Sequence, residues 1–129
     1  MDKSLELFLN PNRKPNKKFK MSTFGEAEFE MKVLSAEEGA QASVIAREKK
    51  LQGIEMLYPT IIASLVSPNL RSAELLDALS QREGRKVLDA MDAFKLLFTD
   101  AEVSSLISIY NDYAEVTFDF NDKVEEAKN

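Results

Sequence analysis

The sequence predicts an α+β fold, an N-terminal β-hairpin followed by a mostly helical small bundle. Two observations carry this. Apolar residues alternate with polar ones through Lys18-Phe19-Lys20-Met21-Ser22 and again through Glu28-Phe29-Glu30-Met31-Lys32-Val33, the period of two that half-buried strands require. From Ser35 onward the apolar residues recur at helical spacing instead. The 129 residues suit one domain. It divides into an N-terminal patch and loop (1–16), the hairpin (17–34) and the helical part (35–129).

Taken in order, Lys3 to Leu9 form a short apolar patch of one or two helical turns, ended by Asn10-Pro11-Asn12. Residues 10–18 are polar, basic and Pro-containing, and read as a loop. In the hairpin, Phe19, Met21, Phe29, Met31 and Val33 are expected to face inward. Ser35-Ala36-Glu37-Glu38 is a capping box: the serine hydroxyl takes one orphan N–H and the glutamate reaches back for another. It predicts a helix over 36–52 with Ala36, Ala40, Val44 and Leu51 on one face and Gly53 at its C′ position. Residues 54–67 are the most apolar stretch and the expected core element, with Pro59 opening a helix and Pro68 ending it. Ser72 caps a short helix that closes near Gly84. Val87, Leu88, Met91, Phe94 and Phe98 predict a helix over 85–98. Thr99-Asp100-Ala101-Glu102 is a second capping box, opening a helix whose face is Val103, Leu106, Ile107, Tyr110 and Tyr113. Val116 to Phe120 read as a turn or extended link, and Asn121-Asp122 as the cap of a last short helix.

Composition excludes several chemistries. The chain has no Cys and no His, which removes disulfides, thiolate or imidazole metal ligands and the Ser-His-Asp and Cys-His catalytic sets. No two glycines lie close enough for a phosphate loop. The expectation is a protein that is not an enzyme and uses no cofactor, metal or small-molecule substrate. The net charge is -5, unevenly spread: residues 1–50 carry ten Lys+Arg against eight Asp+Glu, whereas 51–129 carry seven against fourteen. An acidic body argues against nucleic-acid and anionic-membrane binding. No apolar run is long enough to span a bilayer, and the N-terminus lacks a signal-peptide pattern, so a cytoplasmic location is expected.

Three groups of residues invite a functional reading. The run Arg13-Lys14-Pro15-Asn16-Lys17-Lys18-Phe19-Lys20 has cations and an aromatic for a nucleic acid. It also reads as a solvated loop entering an edge strand, where lysines block unwanted pairing. The acid pairs Asp89/Asp92, Asp112/Glu115 and Asp119/Asp122 have the i,i+3 spacing of an exposed helix face, and Asp119-Phe120-Asn121-Asp122 lacks the Gly and Glu positions of a calcium loop. Tyr110, Tyr113, Phe118 and Phe120 cluster near the acidic end. They either pack the C-terminal helix onto the hairpin or form a partner-binding surface, since aromatics dominate interface hot spots.

Several segments resemble one family. They are Leu5-Glu6-Leu7-Phe8-Leu9, the basic hairpin from Lys17 to Leu34, and Val66-Ser67-Pro68-Asn69-Leu70-Arg71-Ser72-Ala73-Glu74-Leu75. Leu96-Leu97-Phe98-Thr99-Asp100-Ala101-Glu102 and the ending Glu125-Glu126-Ala127-Lys128-Asn129 complete the set. Together these resemble the tail-assembly chaperones of tailed bacteriophages, the group found in prophages of Gram-positive bacteria and related to the PBSX-type prophage. The chain departs from the pattern at Pro59 and in lacking a Gly-Phe pair within Val116 to Phe120. The resemblance implies a cytoplasmic, non-enzymatic chaperone, absent from the mature virion. It would bind the long helical tape-measure protein and keep it soluble while tail-tube subunits polymerise around it. The tail-tube protein is a further partner it suggests, and homo-oligomer formation stays open. The alternatives are another small tail or neck protein, or a nucleic-acid-binding module using residues 13–20.

Overall fold

The computed structural model describes residues 2–118. In chain order its elements are α1 (Lys3–Leu9), β1 (Lys17–Lys20), β2 (Glu28–Met31), α2 (Ala36–Glu48), α3 (Tyr58–Ser64), β3 (Leu65–Ser67), α4 (Ala73–Glu83), α5 (Ala90–Leu97) and α6 (Asp100–Ala114). The fold is α+β and mostly helical, with the antiparallel sheet ordered β1-β2-β3.

The alternating pattern does form the hairpin. β1 and β2 pair antiparallel with Phe19 opposite Phe29, and the two rings stack at 5.2 Å. A short 3₁₀ turn at Ser22–Phe24 joins them, followed by Gly25 at φ 60, a left-handed conformation that suits glycine. Phe24 meets Phe29 edge-on at 5.5 Å. Phe29 and Met31 are buried and Phe19 and Met21 half-buried, as the period predicts, but Val33 is exposed. β2 ends at Met31, and beyond it the chain turns toward the Ser35 cap, so the alternation no longer tracks a sheet face.

The sheet has a third strand that the sequence reading lacks. The apolar stretch 54–67 is three elements, a 3₁₀ turn at Gly53–Leu57, then α3, then β3. Pro59 sits in the first turn of α3, where its missing N–H costs nothing. Pro68 keeps Ser67, the last residue of β3, out of the helical region, and the chain is already extended at Leu65. It then pairs with β2, Met31 opposite Leu65 and Glu30 opposite Ser67. The N–H of Lys32 donates to the Ser64 carbonyl at 2.9 Å.

α2 starts at the predicted capping box, with both reciprocal hydrogen bonds present. Its buried face, however, is Ala42 and Ala46, not Ala36, Ala40 and Val44, which are exposed. α3 is its main helical neighbour, and alanines let two backbones approach closely where Val44 would hold them apart. The helix ends at Glu48 rather than 52. Lys50, at φ 55, takes the left-handed C′ position expected for Gly53. Its N–H bonds the Arg47 carbonyl and the Leu51 N–H bonds the Ala46 carbonyl, the pairing of a Schellman motif. Gly53, at φ 61, opens the following 3₁₀ turn instead.

α4 runs from the Ser72 cap to Gly84 at φ 70. The helix expected over 85–98 begins only at Ala90, because Asp89 caps it by accepting from the Asp92 N–H at 2.8 Å. Leu88 is therefore exposed. Val87 is buried by a different device: its N–H donates to Ser80 Oγ at 2.8 Å, while that hydroxyl donates to the Leu76 carbonyl. α6 opens on the second capping box and buries Val103, Leu106 and Tyr113, with Ile107 and Tyr110 half-buried, as its spacing predicts.

The main core joins sheet to helices through rings. Phe94, fully buried, lies 5.0 Å from Tyr58 and 5.3 Å from Phe98. Phe98 meets Phe24 at 5.6 Å and Phe29 at 6.1 Å. Met31, Ile61, Leu70 and Leu106 complete the buried interior.

Candidate functional site

α1 is held together locally. Asp2 caps it by accepting from the Ser4 N–H at 3.2 Å, and Asn10 Nδ2 donates back to the Glu6 carbonyl at 3.0 Å. None of its residues is buried. Leu5 is 47%, Leu7 74%, Phe8 82% and Leu9 60% exposed. Leu5, Phe8 and Leu9 stand at i, i+3 and i+4, which aligns them as one stripe along the helix. An isolated helix this short is marginal in water, and contiguous exposed apolar surface marks an interaction site.

The loop after α1 is tied to the end of α6. Lys14 Nζ donates to the carbonyls of Tyr113 at 2.8 Å and Glu115 at 2.9 Å, a cation placed where a helix carries unpaired carbonyls and partial negative charge. Tyr113 Oη donates to the Pro15 carbonyl at 2.6 Å. One turn earlier, Tyr110 Oη accepts from the Leu34 N–H at 3.3 Å. Between these contacts lies a groove of about 790 Å³, lined by loop 12–16, by residues 33–36 and Glu38, and by residues 113–117. Of the four aromatics singled out in the sequence, Tyr113 is buried and Tyr110 half-buried, both with their hydroxyls engaged. Phe118 is 77% exposed just beyond the groove, and Phe120 lies outside the described residues.

Two cations of the basic run, Lys18 and Lys20, pair with glutamates of the hairpin. Lys20 pairs with Glu26 at 2.6 Å and Lys18 with Glu28 at 3.9 Å, while Asn16 Nδ2 donates to Glu30 at 2.9 Å. The displaced carboxylates are structural as well. The Lys32 ammonium, followed by the Ser35 N–H, lowers the pKa of Glu38. Arg85, bidentate to Asp92, lowers that carboxyl. The Thr23 hydroxyl and then the Thr99 N–H lower Glu102. Each group fixes a helix start or ties two elements. Among the described residues no three acids gather as a metal site would need, and no helix is long and apolar enough to cross a membrane.

The model of one protein family, the Phage XkdN-like tail assembly chaperone protein, matches residues 5–128. The chain belongs to that family. The match begins inside α1 and takes in every element after it. No curated protein and no solved structure matches. A tail assembly chaperone acts with protein partners during phage tail assembly.

In this chaperone the exposed apolar stripe of α1 lies a few residues from a loop that Lys14 and Tyr113 tie to the end of α6. Sequence reasoning marks Leu5 to Leu9 and the tyrosines, but not Lys14. The lysine sits in a run of cations with nothing local to distinguish it, and its acceptors lie 99 and 101 residues away.

Proposed function

We propose that this tail assembly chaperone binds the tape-measure protein and keeps it soluble while the tail tube polymerises around it. The observation that carries the reading is α1, which exposes four large apolar side chains and buries none. A long helical protein awaiting its tube exposes apolar stripes that aggregate, and a complementary stripe shields them. Phe118 and Val116, both exposed, extend the surface at the other chain end, and Phe120 follows in sequence. Tyr110 and Tyr113 support it from within. The acidic remainder of the chain keeps such a complex dispersed. Because Lys18 and Lys20 already face glutamates and the chain carries a net charge of -5, a protein partner fits better than a nucleic acid.

The test is co-expression with the tape-measure protein of the same phage. The wild-type chain should raise its soluble fraction, and Leu7→Ser/Phe8→Ser should abolish the gain while remaining folded by circular dichroism. An unchanged soluble fraction with the wild-type chain refutes the reading.

A further inference from the structure

We propose that the free protein is a two-fold dimer in which the α1 stripe of each copy, Leu5, Phe8 and Leu9, packs on the 3₁₀ turn Gly53–Leu57 of the other. Resting on the function proposed above, the dimer is the covered form of the α1 surface, and the tape-measure protein displaces the second copy.

The turn is built inside out. Ile54 is 43%, Met56 55% and Leu57 46% exposed. Its one charged residue, Glu55, is half-buried and pairs with Lys95 of α5 at 2.9 Å. Ile54 and Leu57 stand at i and i+3, which a 3₁₀ turn places on one side, and Met56 adjoins them. Three large apolar side chains within four residues form a patch that calls for a covering surface. The patch is held firmly, because the turn packs on α2 and α3 and leads directly into Tyr58, whose ring lies against Phe94. Among the described residues nothing covers it, and α1 buries none of its own residues against the chain.

Charge selects the occupant. The segment that enters the turn, Arg47-Glu48-Lys49-Lys50, is exposed and carries three cations against one acid. Among the described residues none of these cations has an ion pair. On α1, Glu6 stands at i−3 from Leu9 and so flanks the stripe. It too has no ion pair among the described residues. A second copy of this chain therefore brings three apolar side chains edged by an unpaired acid to three apolar side chains edged by unpaired cations.

The size of α1 sets the symmetry. Seven residues make a helix about 10 Å long, and one contact of that size falls well short of the about 1,200–2,000 Å² that stable interfaces bury. A two-fold arrangement makes the contact twice and still leaves a dimer weak enough to be displaced. Dilution or mild urea releases it, so the unfolding of each copy is not tied to it. Leu7, about 200° round the helix from Leu5 and Leu9, stays outside the contact as a first foothold for the tape-measure protein.

Sedimentation equilibrium of the full chain over a wide range of concentrations tests the proposal. Wild type should show a monomer–dimer equilibrium. Leu5→Ser/Phe8→Ser and, separately, Ile54→Ser/Met56→Ser should each weaken dimerisation at least about tenfold with circular dichroism unchanged. Glu6→Lys alone and Lys49→Glu/Lys50→Glu alone should also weaken it, and the three changes together should restore it, since the reversed charges meet again between copies. A monomer at every concentration overturns the proposal. So does a dimer that survives Ile54→Ser/Met56→Ser, or a combined charge reversal that restores nothing, as α1 packing on α1 would give. Adding the tape-measure protein should lower the dimer fraction. If that protein is kept soluble while the dimer fraction holds, the covering role fails and the function stands. If the chain dimerises as described but raises no soluble tape-measure protein, the underlying reading fails and the dimer stands.

Discussion

Phe94→Ala is the sharpest test of how the fold is held. The ring is fully buried and touches Tyr58 and Phe98 edge-on, at 5.0 Å and 5.3 Å. Truncating a buried phenylalanine costs about 3–5 kcal/mol through lost transfer energy and the cavity left behind. Each aromatic pair adds about 0.5–1.5 kcal/mol beyond area. With two pairs the combined range is about 4–8 kcal/mol, and a loss of at least about 4 kcal/mol is expected because Phe98 also carries Phe24 and Phe29, so the cavity opens at the junction of helices and sheet. Domains are stable by only about 5–15 kcal/mol, so the variant should be close to unfolding. Urea denaturation followed by circular dichroism measures it. Phe8→Ala, removing a ring of the same size from an exposed site, should stay within about 0.5 kcal/mol of wild type. A loss below about 2 kcal/mol for Phe94→Ala, with the slope against urea unchanged, refutes the claim that this ring joins the two halves.

Other outcomes follow from the caps, the charges and α1. Leu7→Ser/Phe8→Ser should leave the urea midpoint unchanged, because α1 buries nothing against the body; a clear drop means the helix packs there. Thr99→Ala should cost about 1 kcal/mol by removing the acceptor for the Glu102 N–H, whereas Thr99→Ser should recover nearly all of it. Glu38, Asp92 and Glu102 have lowered pKa values. The unfolded chain therefore takes up their protons first as pH falls, and the stability they contribute is present above the ordinary carboxylate range of about 4 and lost below it. Urea midpoints measured from pH 7 to pH 3 should fall in that lower window, and Glu38→Gln/Asp92→Asn/Glu102→Gln should flatten the fall; an equal slope in the variant counts against these groups.

Local patterns told where most elements begin. Ser35 and Thr99 are capping boxes in the sequence and in the structure, and the face of α6 is read correctly from Val103 to Tyr113. The failures are tertiary. β3 is invisible because Leu65-Val66-Ser67 continues an apolar helix in composition and becomes a strand only because β2 offers it an edge. The face predicted for α2, Ala36, Ala40, Val44 and Leu51, is not the buried one, because the contact with α3 favours Ala42 and Ala46. Asp89 stops α5 short of Val87 and Leu88, since a cap beginning at 89 outweighs the apolar spacing upstream. At the candidate site, the exposed apolar patch of α1 is legible in Leu5 to Leu9. The clamp of Lys14 and Tyr113 is not, since it depends on the whole body between them folding first.

The order in which the rings enter the chain bears on synthesis. Phe19, Phe24 and Phe29 emerge early, yet Phe98, which packs against two of them, comes 69 residues after Phe29. At about 5–20 residues per second a ribosome needs several seconds to make that stretch. Throughout that interval the nascent hairpin has one apolar face uncovered and an unpaired edge at β1. Lys17, Lys18 and Lys20, all on that edge strand, are the charges that discourage neighbouring nascent chains from adding to it. Because β1 stays the outer strand of the finished sheet, the same lysines guard that edge from the first seconds of synthesis onward.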